Sequence, residues 1–201
     1  MRRSAALSAP PAGPATSTRR PLRADARRNY ERLVGAARSV LAERGSEASM
    51  EEIAKRADVG VGTLYRHFPR RIDLVEAVYR EDVESLVTLA DSVVVGATPW
   101  NALVEWLDGF VRYAQAKRVF LTELHEAFEK NPELRVASRE RINVALDSVL
   151  TRAQRAGFAR TDIDGSDLMQ LVTSLCTSAT LSEGQGERLL AVILDGLRPP
   201  G

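Results

Sequence analysis

Few residues of this chain are of types that do covalent or metal chemistry, and their spacing fits none of it. Gly60-Val61-Gly62 offers two glycines of a phosphate-cradling loop but lacks the third glycine and the strand that should precede it. Asp162-Ile163-Asp164-Gly165 begins like a calcium loop, yet its glycine comes too early and no closing glutamate follows. Cys176 is the only cysteine, so no internal disulfide forms, and it reads as a small core residue. His125 has no second histidine or paired cysteine near it, which leaves no support for a metal site or cofactor. An enzyme is therefore not expected, and binding is the chemistry that remains.

One cluster does suit binding. Gly62, Thr63, Tyr65, Arg66 and His67 fall on one side of a short segment whose other side carries Leu64 and Phe68. Gly62 has no side chain to hold a duplex away, Thr63 presents a hydroxyl and a methyl, and Tyr65 presents a ring edge with a phenolic donor. Arg66, Arg70 and Arg71 crowd the end of the segment, where they either clamp a phosphate backbone or form an ordinary solvated surface. His67 is suited to a phosphate contact or to packing beside Phe68, and Tyr65 to the same contact or to a half-buried place against the next helix. The charge supports a polyanion. Met1 to Arg71 holds 15 Lys and Arg against 7 Asp and Glu, a net of +8, while the remainder carries −7.

The elements that hold this cluster read as helices throughout. From Asp25, the residues Tyr30, Leu33, Val34, Ala37, Val40 and Leu41 recur at helical steps until Gly45. Ser49-Met50-Glu51-Glu52 has the form of a capping box, with the Ser49 hydroxyl accepting from a backbone N–H and Glu52 reaching back to the Ser49 N–H. A second helix thus runs from Met50 to about Ala57. Asp58 to Gly60 form a tight connection, and Val61 to Phe68 form a third helix ended by Pro69: a helix-turn-helix. A long fourth helix starts at Ile72, and Thr98-Pro99 caps and opens a fifth. Further helices are expected near Val119–Glu129, Pro132–Ala156, Ser166–Ser182 and Glu187–Leu197. The fold class is all-α: a basic disordered arm over 1–24, a three-helix DNA-binding domain over 25–71 and a six-helix body over 72–201. No apolar run reaches the roughly 18 residues of a membrane span and no signal peptide is evident, so a cytoplasmic protein with no membrane partner is expected.

The run from Ser49 to Phe68, with a first helix before it and a long fourth helix after it, closely resembles the DNA-binding signature of TetR/AcrR-type repressors. The resemblance implies that Val61, Gly62 and Thr63 face bases and that Tyr65, His67 and Arg71 face mainly phosphates of double-stranded operator DNA. Ser49, Met50, Arg66 and Arg70 complete the expected contact set. Glu51 stands where some relatives carry a guanine-reading arginine; as an acid it complements the helix dipole instead, which shifts specificity to the third helix. Arg19, Arg20, Arg23, Arg27 and Arg28 either enter an adjacent minor groove or only aid solubility.

For the body, the resemblance implies a chamber for a small-molecule effector, joined to the head by the fourth helix. Trp106, Phe110, Tyr113, Phe120, His125 and Phe128 are its expected lining. Leu168, Leu171, Val172, Leu175, Leu189, Leu190, Ile193 and Leu197 form an apolar stripe that serves either as internal core or, as the family layout implies, as an intersubunit four-helix bundle. The implied function is a ligand-released repressor acting at the nucleoid, binding a palindromic operator as a homodimer. The alternative is an architectural DNA-binding protein with no effector. A cavity of hundreds of cubic ångströms in the body separates the two.

Overall fold

The structure, a computed structural model, describes residues 19–92, 98–178 and 184–199, with side chains from Ala24 onward. It is all helical among these residues: α1 (Arg19–Arg44), α2 (Met50–Arg56), α3 (Val61–His67), α4 (Arg71–Ser92), α5 (Pro99–Arg118), α6 (Leu121–Lys130), α7 (Pro132–Arg155), α8 (Gly165–Thr177) and α9 (Gln185–Gly196). A 3-10 turn at Gly45–Glu47 links α1 to α2. α1 begins at Arg19 rather than Asp25; Pro21 falls in its first turn, where a missing N–H leaves no helical bond unmade. Residues 1–18 of the expected arm lie outside the described residues.

Local caps account for most of the boundaries. The Ser49 hydroxyl accepts from the Glu52 N–H at 3.1 Å and starts α2. The expected reciprocal half of that box does not form, because the Glu52 carboxylate turns 3.5 Å from Arg44 Nε at the end of α1. Thr98 accepts from the Asn101 N–H to start α5, and Asn131 from the Leu134 N–H to start α7, each followed by proline at the first helical position. Gly157 ends α7 at φ 74°, with its N–H on the Gln154 carbonyl and the Phe158 N–H on that of Ala153. Asp164 and Asp167 exchange the two hydrogen bonds of a full capping box at the start of α8. The segment weighed above as a calcium loop is thus a helix start. α8 ends at Thr177, earlier than its expected end at Ser182, and residues 179–183 are outside the described set.

Two layers of packing follow. In the head, Leu33, Val34, Ala37 and Val40 of α1 are buried with Ile53, Ala54, Leu64 and Phe68, which fixes α2 and α3 against α1. In the body, α4 lies against α5, α6 and α7, and α8 closes over α5 and α7. Trp106 is fully buried there and donates from Nε1 to the Leu86 carbonyl at 3.1 Å, so its one polar atom is satisfied. The 3-10 turn docks on the body at Gly45: at φ 57°, and with Val119 Cγ1 and O each 3.2 Å from where a Cβ would stand, only glycine fits there without strain.

Candidate functional site

The connection between α2 and α3 sets the attitude of the outer helix. Asp58 takes the left-handed conformation at φ 50°, which acidic and amide side chains tolerate better than most. Arg32 on α1 donates to both the Asp58 carbonyl, at 3.0 Å, and its carboxylate, at 2.8 Å, and so holds the turn from beneath. α3 then starts at Gly60, whose carbonyl accepts from the Thr63 and Leu64 N–H groups. Leu64 and Phe68 face inward, and Val61, Gly62, Tyr65 and Arg66 face solvent with Thr63 and His67 half-buried at the edge.

The expected contact set divides on this geometry. Val61, Gly62, Thr63 and Tyr65 form a continuous outer face, and an added Cβ at Gly62 would meet nothing within 4 Å. Tyr65 is 42% exposed and leans toward α2, its hydroxyl 3.5 Å from Glu51 Oε1. Arg66 has no carboxylate partner among the described residues; its Nε donates to the Gly62 carbonyl. His67 sits against Tyr30 and Phe68, with ring centroids 6.4 and 6.2 Å away, so packing and partial exposure coexist in it. The Ser49 hydroxyl is engaged as the α2 cap. Met50 is only 8% exposed and belongs to the core of the head, because the cap turns the next side chain inward. Arg70 is held by Asp73 of the same helix turn.

Arg71 is placed differently from its expected role. Its guanidinium donates to the Ala48 and Gly45 carbonyls and pairs with Glu123 at 3.2 Å. It thus ties the 3-10 turn, α4 and α6 together rather than facing a phosphate. Arg71→Met is expected to lower stability by about 1–3 kcal/mol, as for a part-buried charged donor removed from several acceptors, while leaving the salt dependence of DNA binding unchanged. A salt slope lower by about one unit would return Arg71 to the phosphate contacts.

The body holds a half-open cavity of about 310 Å³ between α4, α5, α6, α7 and α8. Phe110, Tyr113 and Phe128 line it as expected from the sequence. Trp106 and Phe120 do not: both are buried, Trp106 on Leu86 and Phe120 at the junction of α5 and α6. His125 is exposed beside Glu129 and faces an adjoining groove with Val136 and Val144, which shares Phe128, Arg135, Arg139 and Asn143 with the cavity. Sequence reading missed Tyr79, Met169, Asn143 and three cations, Lys117, Arg135 and Arg139. A signal for Lys117 existed, since it continues the helical spacing of Leu103, Leu107 and Phe110 along the buried side of α5.

Lys117 donates to the Tyr113 hydroxyl at 3.0 Å and lies 4.1 Å from the centre of that ring and 5.5 Å from the ring of Tyr79. Burial pushes its ammonium down to about 8; Asp82 on α4 and Cys176 on α8 oppose this. Asp82 is itself committed to Arg38 of α1 at 2.6 Å, and Arg118 also faces the Cys176 thiol. A folded-state value below the ordinary 10.5 means that the unfolded chain holds the proton more tightly between about 8 and 10.5, so stability from this group rises with pH across that window. Lys117→Met is therefore expected to stabilise the ligand-free protein by about 1–3 kcal/mol at neutral pH, with the gain shrinking above pH 8. Equal melting temperatures for the two proteins across that range would contradict the assignment.

The apolar stripe of the last two helices also divides. Leu168, Val172, Leu190 and Leu197 are buried within their own chain, because α8 packs on α5 and α7 and α9 on α8. Leu171 at 52%, Leu189 at 38% and Val192 at 66% remain exposed, with Leu175 and Ile193 half-buried beside them. Val192 was not singled out from the sequence. No described helix is long and apolar enough to cross a membrane, and no group of His, Cys, Asp and Glu among the described residues is placed to hold a metal ion.

These two sites lie in the two segments that match known families. Residues 33–78 match the family described as bacterial regulatory proteins, tetR family, and residues 98–199 match the family described as transcriptional regulator SbtR-like, C-terminal domain. The chain is 31% identical over 134 residues to the HTH-type transcriptional repressor KstR of Mycobacterium tuberculosis, a match over 65% of this chain that spans 60% of that repressor's length. It is 26% identical to the HTH-type transcriptional regulator UidR of Escherichia coli, over 88% of this chain and 93% of that one. Among solved structures, the TetR regulator SCO0520 of Streptomyces coelicolor superposes with a TM-score of 0.77 at 34% identity, over 86% of this chain and 99% of that one. A TetR regulatory protein of Mycobacterium vanbaalenii gives 0.71 at 36% identity, over 89% and 99%. An outer recognition face on α3, a cavity-bearing helical body and family matches over both segments lead to one assignment: the chain belongs to the TetR family of bacterial transcriptional regulators, which are not enzymes.

Proposed function

We propose that this chain is a ligand-responsive repressor that binds a palindromic operator as a homodimer through α3 and is released when its body takes up a small molecule. The observation that carries the sensing part is the cavity of about 310 Å³ walled in part by Tyr79 of α4, the helix that starts directly after the recognition helix. A void-free body would have favoured the architectural alternative. Sequence reading by Val61, Gly62 and Thr63, with Tyr65, Arg66 and His67 at the phosphates, is supported by their shared outer face. The repressor KstR is the relative whose description supports repression over activation. Dimerisation through the exposed residues of α8 and α9 supplies the second half-site contact that a single helix-turn-helix lacks. In the cell it acts at the nucleoid.

A ligand shifts this equilibrium only by its difference in affinity for the two arrangements, and moving from mostly bound to mostly free requires about 10⁴-fold. The test is titration of small molecules against the free protein and against the saturated operator complex. An effector is expected to bind the complex more weakly by the same factor with which it weakens the operator. Identical dissociation constants with and without operator, for every molecule that enters the cavity, would leave the body no sensing role.

A further inference from the structure

The charged residues that line the cavity are all cations. Lys117 stands inside it and Arg135 and Arg139 at its mouth, and no carboxylate is among the described residues that line it. This contrasts with the body as a whole, whose net charge from Ile72 onward is −7. None of the three cations forms an ion pair with a described residue; neighbouring arginines do, Arg38 with Asp82 and Arg141 with Glu84. The direct contacts of Lys117 are neutral, the Tyr113 hydroxyl and two aromatic faces; the carboxylate that acts on it, Asp82, is paired with Arg38. A cation removed from bulk water without a counter-charge is costly to keep, and an incoming anion recovers that cost on binding.

The remaining lining selects among anions. Tyr79, Phe110, Phe128, Ile142 and Met169 make one side apolar and largely aromatic, which favours a flat hydrocarbon body, while Ser166, Gln170 and Thr173 of α8 make the other side polar. Lys117 is the cation nearest the aromatic side, so a ligand with one negative group at the edge of a flat ring meets both.

We propose that the effector of this protein is a small aromatic monocarboxylate, its carboxylate on Lys117 and its ring between Tyr79, Phe110 and Phe128, with Arg135 and Arg139 drawing the anion to the mouth. This rests on the reading of the cavity as the sensing site. The carboxylate and the ammonium form a charge-assisted hydrogen bond with no proton or bond exchanged, and the ring displaces water from the apolar walls.

The probes are naphthoate and its uncharged isostere naphthamide, with benzoate and benzamide as a smaller pair, followed by calorimetry on the full chain. The acid of at least one pair is expected to bind about ten- to hundredfold more tightly than its amide. Lys117→Met is expected to abolish that preference while the variant melts higher than wild type, which shows that it is folded. Equal affinity of acid and amide, an acid preference that survives Lys117→Met, or no binding of any of the four at millimolar concentration each overturns the proposal. A separate arm repeats the titration with selected operator DNA present. Preferential acid binding that is indifferent to operator would leave the ligand class standing and remove the release mechanism instead.

Discussion

Gly62→Ala is expected to leave the protein folded and slightly more stable while weakening operator binding by about ten- to hundredfold. The stability side follows from the local geometry: an added Cβ meets nothing within 4 Å, so the methyl fits, and alanine exceeds glycine in helix propensity by about 0.5–1 kcal/mol. The binding side follows from the same open space. Gly62 lies on the outer face between Val61 and Thr63, and in the proposed complex a methyl there would hold the helix back from the groove. Losing a well-placed base contact costs about 1–3 kcal/mol, which is the expected range. Thermal unfolding and operator titration of the same preparation separate the two effects. Unchanged operator affinity would show that α3 does not approach the duplex through this face.

Leu171→Asp or Val192→Asp is expected to convert the protein to a folded monomer and to cost operator affinity far more than either does in stability. Both side chains are more than half exposed in the single chain, so a charge there keeps its access to water and spares the internal core. In a bundle formed by α8 and α9 of two chains, the same carboxylate would be desolvated without a partner, at a cost of several kcal/mol. Leu168 serves as the contrast: it is fully buried within its own chain, so Leu168→Asp is expected to destabilise the fold itself. Sedimentation at micromolar concentration gives the answer. A wild-type monomer, or a Leu171→Asp dimer as tight as wild type, would contradict the assignment of this face.

The head was legible because its instructions are local. Ser49, Gly60 and Pro69 mark ends within a few residues of the helices they bound, and the inward spacing of Leu64 and Phe68 leaves Gly62, Thr63, Tyr65 and Arg66 outward without knowledge of the rest of the fold. The same locality explains Thr98-Pro99 and Asn131-Pro132. What stayed hidden depends on partners distant in sequence. Arg71 reads as one more arginine in a basic cluster until Glu123 and the Ala48 carbonyl are brought beside it. Glu52 fits a capping box until Arg44 competes for its carboxylate. Trp106 and Phe110 look alike as aromatic lining, and only packing puts Trp106 on the Leu86 carbonyl and Phe110 at the cavity. The cavity's charge was hidden for the same reason, since Lys117, Arg135 and Arg139 come from two helices that meet only in the fold.

In the proposed complex, two copies of this chain read one duplex through paired α3 helices. The most direct measurement of this is selection of bound sequences from a random pool of double-stranded DNA by the full-length protein, with the stoichiometry of the selected complex determined by sedimentation. The account predicts an inverted repeat whose half-sites lie about one helical turn or a multiple of it apart, bound by pairs of chains. Enrichment of a single unrepeated motif bound by one chain, or no enrichment over non-specific binding, would contradict it.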